Sequence, residues 1–208
     1  MTRRRLLPAL TLLAAGGILL AGCATAAGSG DRPPGPQLGA AWPDSPAGDV
    51  VGVGLVLDKD GSPELCLGPV AESAPPQCAG IPLDGWSWDE AENVVEYDGA
   101  RWGSYAVQGR FDGERIAVTQ PPVPLALYDP MAADDPTGGR PGAATEAELT
   151  DMQERVPELL GEGLLGSYPE NGRLVVEVLW DDGTWQDAAD ADFGPDKLLI
   201  RPALKALD

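Results

Sequence analysis

The sequence predicts an α+β fold: a small β-barrel or sandwich, with an oligonucleotide-binding-type (OB) barrel as one candidate shape, followed by a small α-β-α-β module. Three features point there. Between Val50 and Pro122, short alternating stretches are cut by Gly, Pro and Asp, the punctuation of short strands. From Thr145 the apolar residues fall instead at helical spacing. Beyond them Arg173-Leu-Val-Val-Glu-Val-Leu-Trp180 is the strongest strand signal in the chain, and a helix and a further strand follow it.

In chain order, the first expected strand is Val51 to Leu57, which alternates and ends at Asp58-Lys-Asp-Gly61, a hairpin-type turn. A second, around Pro63 to Leu67, carries Cys66. The paired prolines of Ala74-Pro-Pro-Gln-Cys78 forbid helix and ladder pairing, so that stretch is irregular. Leu83 to Trp88, Trp102 to Phe111 and Arg115 to Thr119 read as further strands, the last two joined by the turn Phe111-Asp-Gly-Glu-Arg115. Residues 123–144 read as a linker whose Leu125, Leu127 and Tyr128 are apolar enough to dock.

Thr145-x-x-Glu148 is a capping box, and Leu149, Met152, Val156, Leu159 and Leu160 share one side of the helix it opens, with Pro157 expected to weaken or kink it. Asp181-Asp-Gly183 turns the strong strand, and Thr184 is placed to cap a short helix to Phe193. Gly194-Pro195 stops that helix, and Lys197 to Arg201 forms the last strand. A strand–helix–strand unit implies parallel strands. The module 145–208 is small enough to need the first module, 50–122, or the linker to complete its core.

The N-terminus carries an address. Arg3, Arg4 and Arg5 precede an apolar run from Leu6 to Leu20, which ends in Leu20-Ala-Gly-Cys23. This order resembles the signal peptides of bacterial lipoproteins, which are cleaved before a cysteine that receives a diacylglyceryl group. The resemblance implies that residues 1–22 are the signal and that Cys23 is lipidated. Residues 23–49, rich in Ala, Gly, Pro and Ser, would then be a flexible tether holding the protein at the extracytoplasmic face of the cell membrane. A spanning helix needs roughly 18 to 20 apolar residues, more than this run has, and Pro8 and Gly16-Gly17 interrupt it. Thr2-Arg-Arg-Arg-Leu-Leu7 also resembles a twin-arginine motif, which leaves the export route open.

Removing the signal leaves 11 basic against 33 acidic residues, a formal charge of −22. Phosphate backbones would repel such a chain, which excludes nucleic acid as a partner. Anionic headgroups would repel it too, so attachment to the membrane falls to the lipid. The acidic residues are spread out, as on a solvated surface.

Lipidation of Cys23 leaves Cys66 and Cys78, which an oxidising compartment favours joining; two reduced, buried thiols are the alternative. The chain has no histidine. That removes Ser-His-Asp and Cys-His nucleophile systems and every His-ligated zinc site. The carboxylate groups Asp89, Glu90 and Glu92, or Asp187, Asp190 and Asp192, could supply an acid/base pair for glycoside hydrolysis, but no spacing singles out a pair. Asp58-x-Asp60-Gly61 lacks the third donor and the final Glu of an EF-hand loop. No catalytic residue, cofactor or metal ligand is assigned.

Six tryptophans stand against two phenylalanines. Trp86 and Trp88, two apart, share one face if they lie on a strand. With Trp102 and Tyr105 they either stack on a sugar or peptide or fill the barrel core.

Glu64-Leu-Cys-Leu-Gly68, Pro75-Pro-Gln-Cys78, Gly85-Trp-Ser-Trp88, Trp102-Gly-x-Tyr105 and Gly109-x-x-Asp112-Gly113 together resemble a group of uncharacterised actinobacterial exported proteins. That resemblance implies no catalytic or binding residue. The expected function is noncatalytic binding or interaction with an envelope protein or glycan. The alternatives are a carboxylate-dependent hydrolase acting on envelope glycans and a protease inhibitor presenting the Cys66–Cys78 loop.

Overall fold

A computed structural model of the chain describes residues 37–129 and 135–207, all within one compact unit. The expected signal peptide, residues 1–22, lies outside the described residues, as do Cys23 and residues 24–36. Among the described residues no helix is long and apolar enough to cross a membrane.

The first module is a barrel. Strand β1 (Val50–Lys59) turns through Asp60 and Gly61, both at positive φ, into β2 (Ser62–Cys66). Strand β3 (Ile81–Asp84) follows, then a short β4 (Val95–Tyr97), the long β5 (Ala100–Phe111), β6 (Ile116–Val118) and the two-residue β7 (Val123–Pro124). β1 pairs antiparallel with β2, β2 antiparallel with β3, and β3 parallel with β6. β6 pairs antiparallel with β5, and β5 runs antiparallel to β1 from Ala100↔Lys59 to Gly109↔Val50. The circuit closes on itself, so the five strands form a mixed barrel with the connectivity of an OB-type barrel. Val56, Leu65, Ile81, Leu83, Tyr105, Val107, Phe111 and Ile116 fill it. β1 changes neighbours near Gly54, where an added Cβ would lie 2.3 Å from the Cys66 carbonyl oxygen. Only glycine lets the two backbones come that close. Cys66, at the end of β2, is disulfide-bonded to Cys78, with a Cα–Cα distance of 6.0 Å.

The second module packs two helices on one face of a three-stranded sheet. Helix α1 (Glu146–Leu160) starts in the expected capping box: the Thr145 hydroxyl accepts from Glu148 N, and Glu148 Oε2 accepts from Thr145 N at 2.8 Å. Met152, Val156 and Leu160 are its buried residues, and it continues through Pro157. Strand β8 (Leu164–Glu170) turns at Asn171-Gly172 into β9 (Arg173–Val178), antiparallel to it. Helix α2 (Thr184–Phe193) then leads to β10 (Leu198–Pro202), which lies parallel to β9 as the strand–helix–strand order requires. Leu174, Val176, Val178, Leu198 and Ile200 face the helices, with Trp185, Ala188 and Ala189 of α2 against them. Strand alternation sends Arg173, Val175 and Glu177 to the opposite face.

Several boundaries differ from the expected ones. The last strand, β11 (Leu204–Ala206), leaves the second module and pairs with the start of β1, placing Leu204 in the barrel core. β3 stops at Asp84 because Gly85 turns at φ 81°, so Trp86 and Trp88 lie off the strand, and Trp88 opens a 3-10 turn to Glu90. Thr184 is the first helical residue of α2, not its cap. Asp182 Oδ1 accepts from Thr184 N at 3.0 Å and Asp181 Oδ1 from Trp185 N at 2.9 Å, so the turn's two aspartates serve both turn and helix start. Leu125 and Leu127 do not dock: they are 42% and 72% exposed, while Tyr128 is half-buried and Pro124 is the buried residue among the described residues of that stretch. The end of the linker packs instead through its backbone, Gly142 N and Ala144 N donating to the Asn171 and Gly172 carbonyls.

The segment read as tether joins the fold from Gln37 onward. Leu38 is 3% exposed in the core of the second module, and its N–H donates to Asp192. The indoles of Trp185 and Trp180 donate to the carbonyls of Ala41 and Asp44, each at 2.9 Å. Trp42 lies edge-on against Trp185 at 5.5 Å. Leu38 and Trp42 are the large apolar side chains in a stretch otherwise of disordered composition, and they dock it.

Candidate functional site

Of the four aromatic residues singled out, the structure brings three together. Trp86, Trp88 and Tyr105 form an edge-to-face triangle with ring separations of 5.2, 5.2 and 6.4 Å. Tyr105 is fully buried, and Trp86 and Trp88 are half-buried against the barrel core. Trp102, three residues from Tyr105 along β5, projects from the opposite face of that strand. Rings meeting edge to face gain from each other the contact that a platform would offer a ligand.

The cluster contains a carboxylate that the sequence offered only as a turn residue and as part of an incomplete calcium loop. Asp58, at the end of β1, is 4% exposed. Its Oδ2 accepts from Trp88 Nε1 at 2.7 Å and from Arg101 Nη2 at 2.9 Å. Arg101 sits directly across from Asp58 in the β1–β5 register, and its guanidinium lies over the Trp88 ring at 5.2 Å. The Tyr105 hydroxyl donates to the Glu92 carbonyl at 2.7 Å. Asp58 Oδ1 and Trp86 Nε1 are buried without a hydrogen-bond partner among the described residues. A carboxylate gripped this way fixes the loop after β3. Finding it required the register, since Asp58 and Arg101 are 43 residues apart.

The other carboxylates are drawn into local structure. Asp89, Glu90 and Glu92 are exposed on and after the 3-10 turn. On α2, Asp192 accepts from Leu38 N and Asp190 from the Gln186 side chain. Burial pushes Asp190 above the ordinary carboxylate range. Burial does the same to Asp181, against the helix N–H groups that favour its charged form. Among the described residues no three His, Cys, Asp or Glu are grouped to hold a metal ion.

Two further surfaces stand out. The disulfide loop exposes every residue from Pro69 to Ala74, while Ala71 N donates to Gln77 O and Ser73 Oγ to Pro75 O, both at 2.8 Å. On the helix-free face of the small sheet lies a cavity of about 880 Å³, reaching from β9 and β10 to the end of β2 and to residues 135–139. Arg173, Arg201 and Lys205 line it beside Leu67, Leu165 and Leu199. Its cations come from three different strands, so no local spacing marks it. The chain matches no protein-family model, and neither the curated proteins nor the solved structures hold a match to it.

Proposed function

We propose that this chain is an exported, lipid-anchored protein of the outer face of the cell membrane, and that it binds a partner or ligand there without turning it over. One observation carries this reading. With Cys66 bonded to Cys78, the remaining cysteine of the chain is Cys23, at the end of Leu20-Ala-Gly-Cys23. A disulfide fits an oxidising compartment, and a lipobox cysteine fits an anchor. Binding rather than catalysis is supported by Asp58, whose carboxylate is committed to Arg101 and Trp88.

Intact mass of the protein extracted from membranes tests the anchor. The expected species begins at Cys23 and carries a diacylglyceryl group, and Cys23→Ala moves the protein off the membrane. A membrane-extracted chain beginning at Cys23 with a free thiol would overturn the reading. A second reading, a protease inhibitor, is favoured by the exposed run Pro69 to Ala74 held inside the disulfide. It expects that run to resist cleavage while blocking a protease; rapid cutting within it rules the inhibitor out.

A further inference from the structure

We infer that the exposed run inside the disulfide presents the Glu72–Ser73 peptide bond to a serine-type endopeptidase that recognises glutamate before the bond it cuts, with Glu72 setting that specificity. This rests on the inhibitor reading and names its target.

The loop stands on a fixed base. Cys66 is buried at the end of β2 and bonded to Cys78, Pro76 is buried, and Gly80 N donates to Glu64 Oε2 at 3.1 Å. Pro69 to Ala74 are all exposed above that base. Holding a segment in its bound form in advance removes the ordering cost that a flexible substrate meets on binding.

The main chain of the run alternates. Ala71 N donates to the Gln77 carbonyl at 2.8 Å, and Ser73 N donates to the Ala71 carbonyl at 2.9 Å. Val70, Glu72 and Ala74, the residues beside them, make no hydrogen bond among the described residues. Groups used by the loop thus alternate with groups left for a partner. Through such a period-two pattern an extended segment adds to the edge of another protein's sheet, as a substrate segment does in an endopeptidase cleft.

The contacts on either side single out the bond. Ala71 is held before it, and after it Ser73 Oγ donates to the Pro75 carbonyl at 2.8 Å and accepts from Gln77 Nε2 at 3.5 Å. Between them the Glu72 side chain is exposed, with no hydrogen bond or ion pair among the described residues. It is the one charged side chain from Leu67 to Ala79. A pocket that takes it is basic, and so complementary to a chain with 33 acidic residues against 14 basic ones.

The same contacts turn a substrate into an inhibitor. The enzyme's serine hydroxyl attacks the Glu72 carbonyl carbon, an ester forms, the bond to the Ser73 nitrogen breaks and the hydroxyl proton passes to that amine. The disulfide and the Ser73 hydroxyl bonds keep the amine beside the ester. It attacks back, returns the proton to the departing serine oxygen and restores the peptide bond before water enters.

The purified whole chain is assayed against a glutamyl endopeptidase, trypsin and elastase with small chromogenic substrates. Competitive inhibition of the glutamyl endopeptidase is expected, with trypsin unaffected and slow cleavage confined to Glu72–Ser73. Glu72→Lys should weaken that inhibition by about thirtyfold or more and confer inhibition of trypsin. Its thermal unfolding transition should stay in place, because the side chain is exposed. Ser73→Ala should speed the slow cleavage about fivefold, the equivalent of one neutral hydrogen bond. Inhibition of elastase alone, lost in Val70→Gly, would overturn the assignment to Glu72 and leave the inhibitor reading standing. Rapid cutting at Glu72–Ser73 without inhibition would overturn both. A glutamyl endopeptidase that neither cuts the loop nor is inhibited by it would overturn the inference.

Discussion

Trp88 donates its indole N–H to Asp58 across 30 residues of chain, and that 2.7 Å bond fastens the loop after β3 to the end of β1. The same oxygen takes Arg101, so removing different members should cost different amounts. Trp88→Phe keeps an aromatic ring and loses one bond to a charged acceptor, worth about 1.5 to 3 kcal/mol. Asp58→Ala leaves the indole and the guanidinium both unpaired. Arg101 is 40% exposed and can turn to water, so the cost falls below that of a fully buried pair, at about 2 to 3 kcal/mol. Urea unfolding measures both; changes under 0.5 kcal/mol in each would show that the cluster does not hold the loop.

Gly103 and Tyr105 lie on one face of β5, and the phenol folds back over the glycine to reach the Glu92 carbonyl. A Cβ at Gly103 would meet the Tyr105 hydroxyl at 2.5 Å. Gly103→Ala must therefore displace a fully buried ring, an overpacking cost of about 1 to 3 kcal/mol. Tyr105→Phe should lose only the bond to Glu92, about 1 kcal/mol. The ring's Cε2 and Cζ stand 2.7 Å from the same Cβ, so Tyr105→Phe does not relieve the clash and the double variant should keep the full cost of Gly103→Ala, which a double-mutant cycle reads directly.

The contrast between these clusters shows what the sequence could tell. α1 was legible because its capping box and its apolar spacing are local, and Met152, Val156 and Leu160 are buried as that spacing requires. β9 was legible as an apolar run, and its parallel pairing followed from the helix between it and β10. The closure of the barrel was not, because it depends on β5 matching β1 over its whole length, a register no local pattern specifies. β4 and β8 went unread although Asp98-Gly99 and Asn171-Gly172, each pair at positive φ, are hairpin turn signals. The roles of Asp58 and Arg173 were hidden for the same reason as the barrel: each acquires its meaning from a partner far along the chain.

Acid should act on the second module through Glu148. Its carboxyl is lowered from 4.5 to about 2, first by the Lys197 ammonium at 2.5 Å and then by the Thr145 N–H and hydroxyl. A carboxyl whose folded pKa is depressed contributes stability that is complete above the unfolded value and disappears as pH falls through the folded one. Its contribution should thus be whole above about pH 4.5 and gone below about pH 2. Asp181 and Asp190, raised by burial, act in the opposite sense and favour folding as pH falls through their titration. Thermal unfolding from pH 7 to pH 2 should show Glu148→Gln less stable than wild type at pH 7 and converging with it at the acid end. A constant difference across that range would remove Glu148 from the account.

The Cys66–Cys78 bridge closes a loop with a sequence separation of 12. In the chain-entropy treatment a loop of this size contributes about 3 kcal/mol. Reduction, or Cys66→Ser with Cys78→Ser, should lower stability by that amount and open Pro69 to Ala74 to proteolysis. An unchanged unfolding midpoint would show that the β2–β3 hydrogen bonds alone hold the connection.

The N-terminal strap makes the last prediction. Leu38 is 3% exposed among Met152, Val156 and Trp185, so Leu38→Ala empties a core position and should cost about 2 to 4 kcal/mol. Trp42 is 60% exposed, and Trp42→Ala loses mainly its edge contact with Trp185, about 1 kcal/mol. This ordering inverts what a tether predicts, since substitutions in a tether would leave stability untouched at either position. Amide exchange supplies the local readout. The Ala41 N–H, bonded to the Gln37 carbonyl at 3.1 Å, should exchange slowly in the wild type and fast in Leu38→Ala. Fast exchange there in the wild type would return the segment to the tether and detach it from the second module.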